Sequence, residues 1–424
     1  MRAILDHIPD AAAGRPRRLG HRFAVAILGL LLWSAVAFCE PVAWPGFRGP
    51  QGDGRSAETG LLATWPAGGP EKLWQVAIGG GFSGVAAVDG RLFTLYGRSG
   101  RELVVGLDAA TGKGLWHVDL DQERRDRFGD GPRSTPLVDG GLVYAVSALG
   151  QLKAVTADSG ETVWGCDLRR ELGARVPEWG VSASPIVEGD LLLFNVGGKP
   201  GHAVVAFDKL TGKVAWSAET DLPGYALPVA FTAGGKRQAV FFTGSNVLAL
   251  DPATGETLWK EPWKTAYDIN AATPIFITPD KLFVSSGYDT GAALFRIAAA
   301  GDRLSASEVW RTRGMKNQFS SSVYHDGYIY GFDNKSFKCI DAATGLDRWR
   351  KGSLGHGSLI YADGRLFVLS EGGELLLVEA TPAAYKEKAS FRVADAKHWT
   401  APTLYDGKLY VRNERDLFCF KVKP

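Results

Sequence analysis

Cysteine is scarce in this chain, four residues in 424, and no two are adjacent. The fold therefore does not rest on a disulfide framework. An excess of one charge is missing too: 48 Lys and Arg face 46 Asp and Glu, with no polybasic tail or stripe. Nucleic acid is accordingly not an expected partner. Several catalytic signatures are absent. There is no Gly-x-Ser-x-Gly elbow. Gly79-Gly80-Gly81 is not followed by a helix pattern, so it is a loop and not a phosphate cradle. The charged run Asp119–Asp130 lacks the central glycine of a calcium loop and is expected to be a solvated excursion.

The one long apolar run, Phe23–Phe38, has 16 residues, short for a membrane span and suited to the core of a secretory signal. Arg15, Arg17, Arg18 and Arg22 precede it, and Ala35-Val36-Ala37 offers a small-x-small cleavage site. Phe38 stands where a lipoprotein signal needs a small residue before Cys39, and Leu19-Gly20-His21 fits a twin-arginine signal badly. The expected division is a signal at 1–37, with an uncleaved anchor as the alternative, an extended lead-in at 38–70 and one domain at 71–424. Cleavage would remove five basic and two acidic residues, leaving 43 against 44. The expected location is the periplasm or cell envelope.

What the chain does contain is glycine, tryptophan and a repeated phrase: Asp, two residues, Thr-Gly, three residues, Trp. It stands intact at Asp108–Trp116, Asp208–Trp216, Asp251–Trp259 and Asp341–Trp349, with a near copy at Thr156–Trp164. Such units cannot bury their apolar faces alone, so a repeat at this spacing implies stacked blades. Upstream of each phrase lies an alternating apolar run broken by a tight turn: Asp89-Gly90, Asp139-Gly140, Glu188-Gly189, Asp326-Gly327, Asp363-Gly364 and Asp406-Gly407. Asp-Gly between alternating apolar residues is a strong hairpin signal. With the runs Pro228–Phe242 and Pro274–Ser285 there are eight hairpins. The units between Val85 and Lys421 average about 42 residues, the length of a four-stranded propeller blade.

The predicted fold is all-β, an eight-bladed β-propeller of four-stranded antiparallel blades. Blade five is degenerate, reaching Trp310 without Thr-Gly, and blade seven offers Phe391 in place of a tryptophan. The chain ends on a third strand, so the fourth strand of the last blade is predicted at Glu71–Val76, carrying Trp74. Within the phrase, Asp and Thr tie the turn between strands three and four, and Gly takes a positive φ. The tryptophans Trp74, Trp116, Trp164, Trp216, Trp259, Trp310 and Trp349 are expected to wedge between blades, each worth roughly 3–5 kcal/mol. Two residues before the Asp sits a small residue: Gly106, Ala154, Ala206, Ala249, Cys339 or Cys419. Cys339, Cys419 and also Cys166 are thereby expected to be buried packing residues.

The phrase resembles the tryptophan-docking repeat of pyrroloquinoline-quinone (PQQ) dehydrogenases, and equally that of the propeller lipoprotein of the outer-membrane β-barrel assembly machinery. The resemblance covers about Glu71 to Pro424. The lead-in Trp44–Gly54 resembles the opening of secreted stand-alone PQQ-repeat propellers, and its Arg48 segment is a candidate plug or cap. The enzymes carry adjacent cysteines beside the quinone, a carboxylate and amide set for Ca²⁺ and an Asp base. Here no Cys-Cys occurs, and the one carboxylate and amide cluster near a blade mouth is Asp268-Ile269-Asn270.

In this family the loops from the fourth strand of one blade to the first strand of the next ring the channel mouth. Those loops carry Phe82, Arg133, Trp179, Tyr225, Asp268, Asn270, Gln318, His356, His398 and Trp399. Several are residue types enriched at interaction hot spots, so this set is the candidate binding surface, against inter-blade packing as the alternative for each. His356 and His398 have no third ligand at a metal spacing. With the enzyme motifs missing, the expected role is an exported, non-catalytic scaffold binding a protein or peptide, with no cofactor and a monomer as the expected state. A membrane would be met only through an uncleaved signal or a lipid. The alternative is a PQQ- and calcium-dependent dehydrogenase oxidising alcohols or sugars.

Overall fold

The computed structural model describes residues 42–301 and 303–424. The expected export signal and Cys39 lie outside the described residues. Among these, the strands form eight four-stranded antiparallel sheets, each adding its strands in chain order from the axis outward. Blade one, for example, runs Ala86–Val88, Arg91–Arg98, Arg101–Asp108 and Gly114–Gln122. The eighth is the exception. It combines Thr403–Tyr405, Lys408–Arg412 and Asp416–Lys421 with an outer strand from the other end of the chain, Lys72–Ala77. A five-residue helix, Leu168–Leu172, follows the outer strand of blade two.

The repeated phrase acts in two directions. Within its own blade it ties the turn: Asp108 Oδ1 accepts from the Thr111 N–H at 2.8 Å and its hydroxyl at 2.6 Å. Asp208 does the same with Thr211, at 2.8 Å for both bonds. Towards the preceding blade it presents a glycine at positive φ, and onto that glycine the neighbouring tryptophan lies. A Cβ on Gly112, Gly160, Gly212, Gly255 or Gly345 would stand 2.5–2.8 Å from the ring of Trp74, Trp116, Trp164, Trp216 or Trp310. Only glycine permits that approach. Each indole N–H then reaches the carbonyl just past the phrase's first residue: Trp74 to Ala109 (3.2 Å), Trp116 to Ala157 (3.0 Å), Trp164 to Lys209 (2.9 Å), Trp216 to Pro252 (3.1 Å) and Trp310 to Ala342 (3.1 Å). Trp349 reaches one residue further along blade seven, to Thr381 O, at 2.8 Å.

The small residue before each Asp has an equally direct cause. Gly106, Ala154, Ala206, Ala249, Cys339 and Cys419 are the cross-strand partners of Trp116, Trp164, Trp216, Trp259, Trp349 and Trp74. A larger side chain there would collide with the ring. Cys166, Cys339 and Cys419 are buried and free.

Two seams depart from the rule. Blade five has no phrase to receive Trp259, whose N–H turns back to Gln238 Oε1 of its own blade at 2.7 Å. Buried Trp263 crosses instead, donating to Ser286 Oγ at 3.0 Å under the Arg311 guanidinium, 4.4 Å from the ring centroid. Blade five also closes by a long hairpin, Gly291–Ala300 with Arg303–Thr312. In blade seven Phe391 replaces the tryptophan, and Trp65 from the lead-in packs edge-on against it at 6.1 Å.

The innermost strand of every blade leaves an edge facing the axis, and unpaired edge groups are costly when buried. The lead-in supplies partners. Trp44 and Ala87 exchange two backbone hydrogen bonds of 2.8 Å, the Val138 N–H donates to Pro45 O at 2.7 Å, and Gly54 O accepts from the Tyr361 N–H at 2.9 Å. Arg48, buried, donates to Ser322 O at 2.5 Å and to the carbonyls of Gly52 (3.1 Å) and Asp53 (2.7 Å). Burial lowers its pKa to about 10. The segment continues to the first hairpin turns of blades seven and eight, where the Leu61 N–H donates to Asp363 and Glu58 accepts from the Gly407 N–H. Those turns lie at the end opposite the loops that enter each first strand. The lead-in is therefore a plug that occupies the axis and leaves the loop end open.

Candidate functional site: an aromatic cup at the loop end

Above the plug lies a cavity of about 260 Å³ whose walls are the loops that enter the first strands. Phe47, one residue before Arg48, contributes to its lining, as do Phe82, Phe128, Trp179, Tyr225, Tyr288, Phe319 and Trp399. The rings brace one another: Phe82 and Trp399 at 5.2 Å between centroids, Phe319 and Trp399 at 4.9 Å, Phe128 and Trp179 at 5.1 Å. Cations sit on their outer faces. Lys397 Nζ is 4.3 Å from the Trp399 centroid, and the Arg127 guanidinium is 4.8 Å from that of Phe128. Such contacts fix ring orientation and make the wall a rigid surface.

Among the described lining residues Arg133 alone carries a full charge. Its guanidinium donates to Gly131 O at 2.6 Å and Gly129 O at 3.0 Å, and Asp126 lies 3.5 Å away with its carboxylate almost wholly buried. Burial lowers the Arg133 pKa, with Asp126 opposing the shift. Behind this pair, Glu102 accepts from the Ala148 N–H at 2.8 Å and the Arg124 N–H at 3.2 Å, and burial raises its pKa to about 7. Burial also pushes the Tyr225 phenol up to about 12. The remaining polar lining is uncharged: Thr135, Ser182, Gln318 and Thr400. An apolar wall with a few fixed polar groups is the usual form of a binding pocket.

Six of the ten loop residues singled out in the sequence line this cup: Phe82, Arg133, Trp179, Tyr225, Gln318 and Trp399. Four do not. Asn270 is fully buried and its amide is consumed in holding loops together, donating to Thr243 O at 2.7 Å and Trp263 O at 3.3 Å and accepting from Ser286 Oγ at 2.7 Å. Asp268 occupies a positive-φ turn position beside it. His398 is buried with Nδ1 2.8 Å from Ala396 O, and burial lowers its pKa. His356 stands behind Phe319, 5.3 Å between ring centroids, with its pKa also lowered by burial.

Sequence reasoning missed Phe47, Phe128 and Tyr288. Phe128 sits in the charged excursion, which the buried Asp126 folds inward through Arg124 and Arg133. Tyr288 belongs to the turn between strands two and three of blade five, and such turns lie at the same end as the entering loops. That topological fact was the available signal. No carboxylate lines the cup, and no group of three or more His, Cys, Asp or Glu stands together among the described residues. A hard divalent ion needs six or more oxygens, so the residues present do not fit a calcium-held quinone.

Comparison with known proteins gives the same architecture. A relative from Burkholderia pseudomallei, outer membrane protein assembly factor BamB, is 28% identical over 251 residues, covering 56% of this chain and 60% of its own length. A quinoprotein ethanol dehydrogenase of Pseudomonas aeruginosa is 28% identical over 154 residues, 32% of this chain and 24% of that protein. The crystal structure of BamB from Moraxella catarrhalis superposes with a TM-score of 0.63 at 15% identity, covering 83% of this chain and 99% of that one. The family described as outer membrane protein assembly factor BamB matches at residues 61–224 and 172–351. Those stretches take in well over half of the 424 residues, and the chain belongs to that family.

Proposed function

We propose that this protein is an exported, non-catalytic scaffold that works in the periplasm or cell envelope and grips a protein or peptide at the loop end of its channel. The observation that carries this reading is the cup itself: a rigid aromatic wall, closed below by the plug and lined by no carboxylate. Rigid aromatic anchors in a dry pocket are what a protein interface uses as hot spots. A quinone held by calcium would instead require converging oxygen ligands, and catalysis would require a base beside it. Family membership supports the assembly role that its relatives' names describe.

A photo-crosslinking residue placed at Ser182 or Gln318 of the full chain, in cells, tests the reading. Protein adducts that disappear in a Trp399→Ala background are expected. Titration of the purified protein with PQQ and Ca²⁺, followed by dye-linked oxidation of alcohols and sugars, should give no turnover. Saturable one-to-one binding with turnover would overturn the scaffold and make the cup an active site.

A further inference from the structure

The aromatic cup is not closed at its rim. A second, polar cleft of about 540 Å³ between blades five and six shares Tyr288 and Gln318 with it. Those two side chains face both compartments, so the cup and the cleft adjoin at them. The two compartments differ sharply in character, one ring-lined and one charged.

The cleft's charges do not cancel. Asp333 is spoken for: Lys338 Nζ lies 3.3 Å from it, and the Lys316 backbone N–H donates to it at 3.2 Å. Asp289 pairs with Lys316 at 3.4 Å but is 90% exposed, so solvent screens the pair. Lys335 and Arg350 also line the cleft, and among the described residues neither has a carboxylate in ion-pair contact. Arg350 uses one donor on Ser336 Oγ at 2.9 Å and keeps the rest. Both side chains are exposed. The cleft thus offers two uncommitted cations next to an apolar cup.

Resting on the scaffold reading above, we propose that the mouth recognises an acidic peptide segment, seating an aromatic side chain in the cup and placing neighbouring carboxylates on Lys335 and Arg350. An extended polypeptide advances about 3.3 Å per residue with side chains alternating in direction. It therefore presents an apolar ring and flanking charges as near neighbours along one strand. The bidentate geometry of Arg350 suits a carboxylate.

The test uses the full exported chain and three fluorescein-labelled ten-residue peptides: one with Phe flanked by Asp, one with Phe flanked by Lys, one with Ala flanked by Asp. Anisotropy titration should give saturable binding of the first, at least tenfold tighter than of either other, and weakening as salt rises. The double substitution Lys335→Glu with Arg350→Glu should reverse the preference between Asp and Lys peptides without moving the melting temperature. Equal affinity for both charge types, or a preference unmoved by the reversal, overturns the acidic-peptide proposal and leaves the scaffold standing. No saturable binding by any of the three also overturns it, and the in-cell crosslinking then decides the scaffold by itself.

Discussion

Trp164 lies flat against Gly212 of the next blade, so close that a Cβ on that glycine would stand 2.5 Å from the indole. Gly212 has φ +70°, and the Trp164 N–H donates to Lys209 O at 2.9 Å over the same turn. Gly212→Ala therefore meets both backbone strain and overpacking, and should cost about 2–4 kcal/mol. Trp164→Ala should cost about 3–5 kcal/mol. Urea titration of both variants and their combination checks this, and strong non-additivity is expected because the two residues are one contact.

The buried thiols give a second expectation. Burial pushes Cys166, Cys339 and Cys419 up to about 12, so at pH 8 almost none is thiolate. A thiol reagent should leave all three unmodified in the native protein and label all three after denaturation. Cys419→Phe, opposite Trp74, should destabilise by about 1–3 kcal/mol through overpacking, while Cys419→Ala should be mild.

Glu102 sets a pH dependence. Burial holds its folded pKa near 7, above the ordinary value of 4.5, so between those values the folded state binds more protons than the unfolded one. Stability should fall as pH rises across that window, by up to about 3 kcal/mol, and be flat in this respect above and below it. Thermal unfolding from pH 4 to 8 checks the slope, and Glu102→Gln should remove it.

Arg412 is wholly buried, has no carboxylate partner among the described residues, and spans the seam between blades eight and one. It donates to the carbonyls of Ser83 (2.9 Å), Leu95 (2.9 Å) and Gly81 (3.2 Å) and to Thr94 Oγ1 (3.0 Å). Burial lowers its pKa to about 9. Arg412→Met would strand several carbonyls and should cost about 3 kcal/mol or more. Lysine, a point donor, should rescue only partly. Denaturant midpoints of the two variants distinguish these outcomes.

The fold was largely legible because the phrase that closes each blade also docks the previous one. Both jobs are local, so both are written in a nine-residue window. The site was legible only as far as topology carried it. Phe82, Arg133, Trp179, Tyr225, Gln318 and Trp399 stand in loops whose end of the channel follows from strand order. Asn270 and His398 stand in the same loops but turn inward, because buried loop backbone and packing claim their polar atoms. Phe47 was out of reach: nothing in the lead-in states how deep it enters the channel. Phe128 was hidden by its charged neighbours, whose buried ion pairs are long-range facts.

The two-ended eighth blade also sets a clock. Trp74 finds its partner Cys419 only once the last strand exists, and the plug at Trp44 and Arg48 has no walls to pair with until blades one, two and six have formed. The first part of the domain to emerge is thus among the last to find its place. Closure over so long a loop is entropically slow, and the intermediate exposes an unpaired strand and apolar seams. Completion of the ring then waits for the strand Asp416–Lys421. A molecule truncated before Asp416 would lose the eighth blade's third strand and, with it, the cross-strand partner of Trp74.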